Sequence, residues 1–479
     1  MRYEKNSIIL VMMLSLCLSI AFFGNIVANN PKSIQVTPKA SQETITFWYT
    51  ENDAEKPGLL DKIALFEAAN PTITVVATQH GFFGVGDEFA TAFIAGTEPD
   101  VLRTPRDDVI RFAYDGLIDP LTDEFTSSDL NDFVPASLAL MTYAGEIWGF
   151  PQAIDCPMFL FNKALFNTAG IDPDLISFNV SWTWSEFNTN IALLNATPGV
   201  YALSIQGMFY GAQPYYYGHG AQFMERYIYD TRHIAVDSAI SRSALEFIKN
   251  LTDSTLTPPW VEQGWGNYIP DFGNGKVAMV ATGPWEITNL LTNYPQFNGT
   301  VYGNSNLGFM LLPHDSDGNQ GALVGGNYYT ISSQTDEYDA AIKLVKFLSS
   351  DGMMAKSGIE NYHIPARISA MTNASFMAAP SYQYVEPYFN QCLSAHILTP
   401  SPFYGQMENV LGGYLDQYLA GQINLNQLLT STIAEWNDIL PGWGRTEQVT
   451  VPGYGLPLVL GILLTGIIGI GIYSMRRKR

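Results

Sequence analysis

Cysteine is nearly absent: there are three in 479 residues, and one of them, Cys17, sits inside an N-terminal apolar run. So few cannot form a disulfide scaffold, and with no CxxC or Cys/His ligand spacing the sequence offers no structural zinc site. Positive charge is short as well. The 24 basic residues face 45 acidic ones, a net charge of -21, which excludes a nucleic-acid partner as the first expectation because duplex phosphates demand a cationic face. The six histidines never pair at i, i+4 and no GxSxG occurs, so neither a zinc hydrolase nor an α/β-hydrolase nucleophile is visible. The GNGK at 273–276 lacks the earlier glycine and the following hydroxyl of a phosphate loop. The DSDGN at 315–319 lacks the closing glutamate of a calcium loop, so both read as turns. No cofactor and no metal are expected. With 41 glycines and 27 prolines the chain is also far from low-complexity composition. What is present is 47% apolar and 13% aromatic residues, enough for about three ordinary domains or two large lobes with substantial cores.

The two ends carry the longest apolar stretches. Arg2 and Lys5 precede the uncharged run 7–23 and then Asn29-Asn30-Pro31, the layout of a secretory leader. Residues 1–28 are therefore expected to be a signal peptide cleaved after Ala28, or an uncleaved N-terminal anchor, and 29–43 a polar spacer. At the other end 456–473 is uncharged and would span about 27 Å as a helix, enough to cross a hydrocarbon core. Arg476, Arg477, Lys478 and Arg479 follow, and such a cluster stays inside. The expectation is a linker at 444–455, a transmembrane helix at 456–473 and a cytoplasmic tail at 474–479, with the ectodomain at the cell membrane on its extracellular face.

Within that ectodomain 44–50 reads as a strand, and 59–69 carries Leu59, Leu60, Ile63, Ala64 and Phe66 on a helical stripe closed by Asn70-Pro71. A second strand at 72–78, a short helix at 89–95 before Gly96 and a third strand at 100–102 follow. The order βαβαβ predicts an α/β fold with a largely parallel sheet, its ligand loops beyond the C-terminal strand ends. Segments 277–281, 327–332 and 340–349 continue the alternation.

A series of segments in order carries a resemblance: ITFWYT (45–50), AGTEPDVLRTPRDD (95–108), YDGLIDPL (114–121) and YAGEIWGFPQAIDCPMFLFNKALFNTAGID (143–172). WTWSEF (182–187), FGNGKVAMVATGPWEI (272–287), GGNYYTIS (325–332) and PFYGQMENVL (402–411) complete it. From about 44 to 440 the chain resembles the extracellular solute-binding proteins of ABC importers, specifically the maltose-binding-like carbohydrate class. The resemblance implies a two-lobed periplasmic-binding-protein-like clamp, each lobe a mainly parallel sheet flanked by helices and discontinuous in sequence. The solute-binding domain would be 44–441, with lobe 1 at 44–153 and 309–365, lobe 2 at 158–305 and 368–441, and hinges near Ile154, Phe309 and Ala366. It further implies a monomeric receptor without enzymatic activity, with a small-molecule carbohydrate, an oligosaccharide or related sugar, as ligand and ABC permease subunits as partners. The C-terminal anchor looks like that of tethered, archaeal-type members.

A sugar offers hydroxyls, from which carboxylates accept strongly, and an apolar C–H face that covers aromatic rings. By the resemblance Asp107 stands at an acidic hydroxyl acceptor and Asp155 at a hinge-side acid. Read alone, Asp107 equally suits a helix cap before Val109, and Asp155 is a lone carboxylate in the apolar run 150–160. Trp285, after Gly283-Pro284, is expected at a strand end over the cleft, against the alternative of packing under a helix that starts at Pro284. Tyr404 matches a second stacking aromatic or belongs to core. One ring among Phe209, Tyr210, Tyr215, Tyr216 and Tyr217 is expected at the ligand, Tyr210 and Tyr216 being carried as candidates. Glu51 and Asp53 at the end of the first strand complete the set, while Trp48 reads as core. Thr104 and Asp108 replace the aromatic and arginine of the maltose-binding pattern, which weakens maltodextrin as the ligand. The rival readings are the same fold binding a polyamine, polyol phosphate or peptide, and a glycoside hydrolase using Asp107 and Asp155.

Overall fold

A computed structural model describes residues 42–225, 233–301, 303–395 and 401–440. The expected leader, linker, transmembrane helix and basic tail lie outside the described residues. Among the described residues no helix is long and apolar enough to cross a membrane.

The chain opens with β1 (Glu43–Tyr49), whose alternation buries Ile45, Phe47 and Tyr49 on one face. The helix Lys56–Ala69 presses Leu59, Ile63 and Phe66 onto that sheet and returns the chain to β2 (Ile73–Gln79), parallel to β1. It starts before the apolar stripe because Pro57 sits in the first turn, where an N–H has no partner to lose. The helix Val85–Ala95 leads to β3 (Val101–Pro105), parallel to β1 on its other side. A small ribbon, β4 (Thr142–Tyr143) with β5 (Glu146–Ile147), precedes β6 (Phe150–Asp155). At Cys156-Pro157 the chain leaves this sheet, and β7 (Met158–Asn162), β8 (Ser181–Thr183), β9 (Tyr201–Ser204), β10 (Val277–Thr282) and β11 (Leu307–His314) form a second one. The return segment carries the 315–319 turn, in which Asp315 Oδ1 accepts from the N–H groups of Asp317 and Asn319 at 2.9 Å. Then β12 (Gly325–Ile331) and β13 (Ile364–Pro365) rejoin the first sheet, giving the orders β13-β6-β12-β3-β1-β2 and β8-β11-β7-β10-β9. The result is two lobes, each a sheet between helices, with β7 and β10 buried along their whole length.

Two expectations are corrected here. The sheets are mixed rather than mainly parallel: β7 runs antiparallel to β10 and β11, and β12 antiparallel to β3 and β6. Both strands arrive straight from the other lobe. A parallel neighbour needs a crossover connection over the sheet face, and these strands have none. The return to the first lobe also lies later than Phe309, because β11 is held to β7 and β8 along 307–314.

Candidate functional site

The strand register gathers the first lobe's polar groups at one end of three neighbouring strands, β6, β12 and β3. Asp155 ends β6 opposite Gly325, and Pro105 ends β3 opposite Asn327, so Arg106 and Asp107 open the helix Arg106–Asp115 beside Asp155. A Cβ on Gly325 would stand 2.3 Å from Asp155 Oδ1, so glycine there is what leaves the carboxylate room. Asp107 accepts from Arg106 Nε at 3.0 Å, and a second Arg106 N–H donates to the Val324 carbonyl.

The second lobe answers from two places. On the helix Tyr404–Leu419, the Tyr404 ring lies under the Arg106 guanidinium at 5.5 Å. One turn later Glu408 accepts from Gln213 Nε2 at 2.7 Å, and the Tyr404 and Tyr217 hydroxyls meet at 3.3 Å. At the C-terminal ends of the parallel pair β9 and β10 stand Gln206 and Trp285. Trp285 occupies the short turn Pro284–Glu286 with its indole folded back over Gly283, where a Cβ would sit 1.9 Å from a ring carbon. Its ring is half-exposed and lies 6.1 Å from that of Tyr210.

Arg106, Asp107, Asp155, Tyr210, Trp285, Asn327 and Glu408 all keep part of their surface open, and Arg106 meets Tyr404 from the other lobe among them. Several buried polar atoms there have no partner: both amide atoms of Gln206, Trp285 Nε1, Asn327 Oδ1 and the Tyr328 hydroxyl. Each such atom costs roughly 1–3 kcal/mol when left unpaired, and these are donors and acceptors open to a ligand.

Burial pushes the Asp155 carboxyl up to about 6, with Arg106 pulling the other way. Burial, then the neighbouring Asp107, pushes Glu408 up to about 8. Burial works against the charge of Arg106, but Asp107, Tyr404, Glu408 and Asp155 outweigh it and raise its pKa. Burial therefore favours the neutral form of Glu408, which can donate a hydrogen bond, and the Arg106 guanidinium lies beside Asp107 and Asp155.

The structure brings together Trp285, Asp155, Asp107, Tyr404 and Tyr210. It does not bring Tyr216, Glu51 or Asp53. Tyr216 is buried among Phe209, Tyr217 and Phe223, and its hydroxyl is satisfied by the Gln222 carbonyl and Ser241. Tyr215 is core as well. Glu51 is 1% exposed and accepts from Gln152 at 2.7 Å beside Arg103, which also bonds Gln152 at 2.8 Å: an internal ion network of the first lobe. Asp53 stays exposed and accepts from Gln79 at 3.2 Å. Asp108, which departs from the maltose-binding pattern, bonds Thr104 and Arg111 and faces its own lobe. Cys156 and Cys392 are free, buried neighbours, and burial together with Cys392 raises the Cys156 thiol.

Glu408, Arg106, Gln213 and Gln206 were missed. Glu408 was readable, being four residues after Tyr404 and hence on the same helix face. Gln206 carries no local signal.

A two-lobed clamp with a polar and aromatic cleft between its sheets is the architecture of a solute receptor. The chain belongs to the bacterial extracellular solute-binding protein family, whose model matches residues 49–355. The GacH receptor of Streptomyces glaucescens, solved unliganded and with acarbose, superposes with a TM-score of 0.73 at 25% identity, covering 83% of this chain and 98% of that one. The galactooligosaccharide-binding protein of Bacillus subtilis is 22% identical over 394 residues, 80% of this chain and 86% of that protein. The sn-glycerol-3-phosphate-binding periplasmic protein of Salmonella typhimurium is 24% identical over 380 residues, 74% and 79% respectively.

Proposed function

We propose that this chain is the extracytoplasmic substrate-binding component of an ABC importer, capturing a neutral carbohydrate between its lobes and delivering it to the permease without chemical change. One observation carries the reading: the cleft combines half-exposed rings (Trp285, Tyr210) and Tyr404 with acids (Asp107, Asp155, Glu408) and unpartnered buried amide and hydroxyl groups. Rings suit sugar C–H faces, and carboxylates and amides suit hydroxyls. Asp155, Asp107, Trp285, Tyr404 and Tyr210, joined by Glu408, are the proposed ligand residues.

A polyol phosphate, the kind of ligand named for the Salmonella relative, is the second reading, and the charge pattern disfavours it. Arg106 is already engaged by Asp107 and the Val324 carbonyl, and the surrounding acids repel an anion. In this account lobe 1 comprises about 43–155 and 325–365 and lobe 2 about 158–314 and 368–440, hinged at 156–157, 315–324 and near Ala366. The leader and the segment 456–473 would hold the receptor, as a monomer, at the outer face of the cell membrane. Calorimetry against mono- to tetrasaccharides, polyols, polyamines and glycerol 3-phosphate tests the reading. A neutral sugar binding with micromolar or better Kd is expected, while tight binding of glycerol 3-phosphate or a polyamine alone would overturn it.

A further inference from the structure

Between residues 42 and 440 the sequence holds two cysteines, Cys156 and Cys392, and the fold puts them side by side. Cys156 is the residue at which the chain leaves β6 for the second lobe, and it is fully buried between Asp155 and Pro157. Its thiol donates to the carbonyl of Tyr388, 232 positions away in the chain, at 3.4 Å. Tyr388 lies one turn before Cys392 on the helix Tyr382–Leu393. Side chains on a helix lean toward its N-terminus, so the Cys392 sulfur points back over that same turn. The two thiols are within hydrogen-bonding reach of each other.

Packing alone is a poor account of the pair. A buried side chain touches about 6–12 others, so two cysteines placed independently in about 400 residues would meet about one time in forty. Their position is mechanical as well, because the last turn of the same helix holds a second crossing between the lobes. Gln391 accepts from the Leu312 N–H at 2.7 Å and donates to Gln320 at 2.7 Å, and the Ser394 hydroxyl donates to Gln320 at 2.6 Å. The crossings at 156–157 and 315–324 thus both meet one helix end, the second through amides and a hydroxyl, the first through sulfur.

We propose that Cys156 and Cys392 are a disulfide-forming site, oxidised in the exported receptor so that the first crossing is fixed covalently to the second lobe. This rests on the extracytoplasmic location in the reading above and not on the ligand. Disulfides form and persist in oxidising compartments outside the cytoplasm. The oxidant is another disulfide, of a protein or of a small thiol. Cys392, 8% exposed against 0% for Cys156, reacts first: its thiolate attacks one sulfur of that disulfide and expels the other as a thiolate. The Cys156 thiolate then attacks the Cys392 sulfur and expels the second. Two cysteines are oxidised, one disulfide is reduced to two thiols, and the two cysteine protons pass to them. The bond joins a crossing to one lobe only, so the lobes stay able to close.

The test uses the full-length protein, recovered from cells in an alkylating buffer, with external protease applied to intact cells in parallel to locate the ectodomain. The protein is unfolded without reductant, digested and mapped by mass, before and after dithiothreitol. Expected are the peptides carrying Cys156 and Cys392 joined to each other before reduction and separate after it. Reducing the intact protein should lower its melting temperature by about 3–6 °C, and the same treatment of Cys392→Ala should shift nothing. If Cys392→Ala does not fold, the wild-type map decides. Both peptides alkylated before reduction, in an ectodomain that external protease reaches, would overturn the disulfide and leave the carbohydrate reading standing. Both alkylated in an ectodomain that protease cannot reach would remove the location and the disulfide together.

Discussion

Replacing Trp285 with alanine separates a ligand platform from a core residue in one sample. Trp285 is half-buried, with its indole folded over Gly283 and its ring centre 6.1 Å from that of Tyr210. A fully buried tryptophan would cost about 3–5 kcal/mol on truncation. Here the free protein loses the Tyr210 ring contact, about 0.5–1.5 kcal/mol, and a modest share of buried apolar area. A net destabilisation of about 1–2 kcal/mol is expected, read as a melting shift of a few degrees for a chain of this size. On the binding side a micromolar complex is worth about 8 kcal/mol, and a few groups dominate such a total. Loss of the sugar face on the indole should remove about 2 kcal/mol, roughly 30-fold in Kd. Calorimetry and thermal melting of the same preparation give both numbers. A stability loss of 3–5 kcal/mol on the scale of core truncations, with affinity within twofold of wild type, would refute the placement of Trp285 in the site.

Asp155→Asn and Asp107→Asn should each weaken sugar binding by about 1–2 kcal/mol, since an amide oxygen still accepts but without charge; unchanged calorimetry for both would remove them from the cleft. Glu408 is held protonated to about pH 8, whereas an unfolded glutamate ionises near 4.5. Between those values the folded chain keeps a proton that the unfolded one loses, so its contribution to stability falls as pH rises and levels off above 8. Glu408→Gln should therefore match wild type below pH 5 and melt higher at pH 8; parallel melting curves across that range would contradict the assignment. Lys62, 1% exposed and bonded to Ser357 at 2.6 Å, is brought down to about 8 by burial, Glu51 opposing. Its folded pKa lies below the unfolded one, so its penalty is full below pH 8 and fades as pH climbs to 10.5. Lys62→Met should erase that rise in melting temperature, and a rise that persists would show that another group titrates there.

The elements legible in the sequence were those whose cause is local. Strand β1 announces itself by alternation, the helix Lys56–Ala69 by its stripe and Pro57, and the strand-end position of Trp285 by the Gly283-Pro284 pair after β10. What was not legible depends on contacts distant in the chain. The antiparallel insertion of β7 and β12 follows from where the chain crosses between lobes, which periodicity does not encode. The tyrosines 215–217 combine an apolar body with a polar tip, so neither burial nor exposure can be read from their type. Only the register of the helix Phe209–Gly218 against its neighbours makes Tyr216 core and leaves Tyr210 at the cleft. Glu51 looked like a cleft acid because it ends a strand, but Arg103 and Gln152 hold it inside its lobe.

A carbohydrate bound between the two lobes should hold them together. Small-angle scattering of the chain trimmed to 42–440, with and without a saturating sugar identified by calorimetry, tests it most directly, because ligand that bridges hinged lobes selects the closed form. A smaller radius of gyration is expected on saturation, with the shift abolished in Trp285→Ala at the same sugar concentration. A scattering profile that stays the same at full occupancy would place the ligand somewhere other than the cleft.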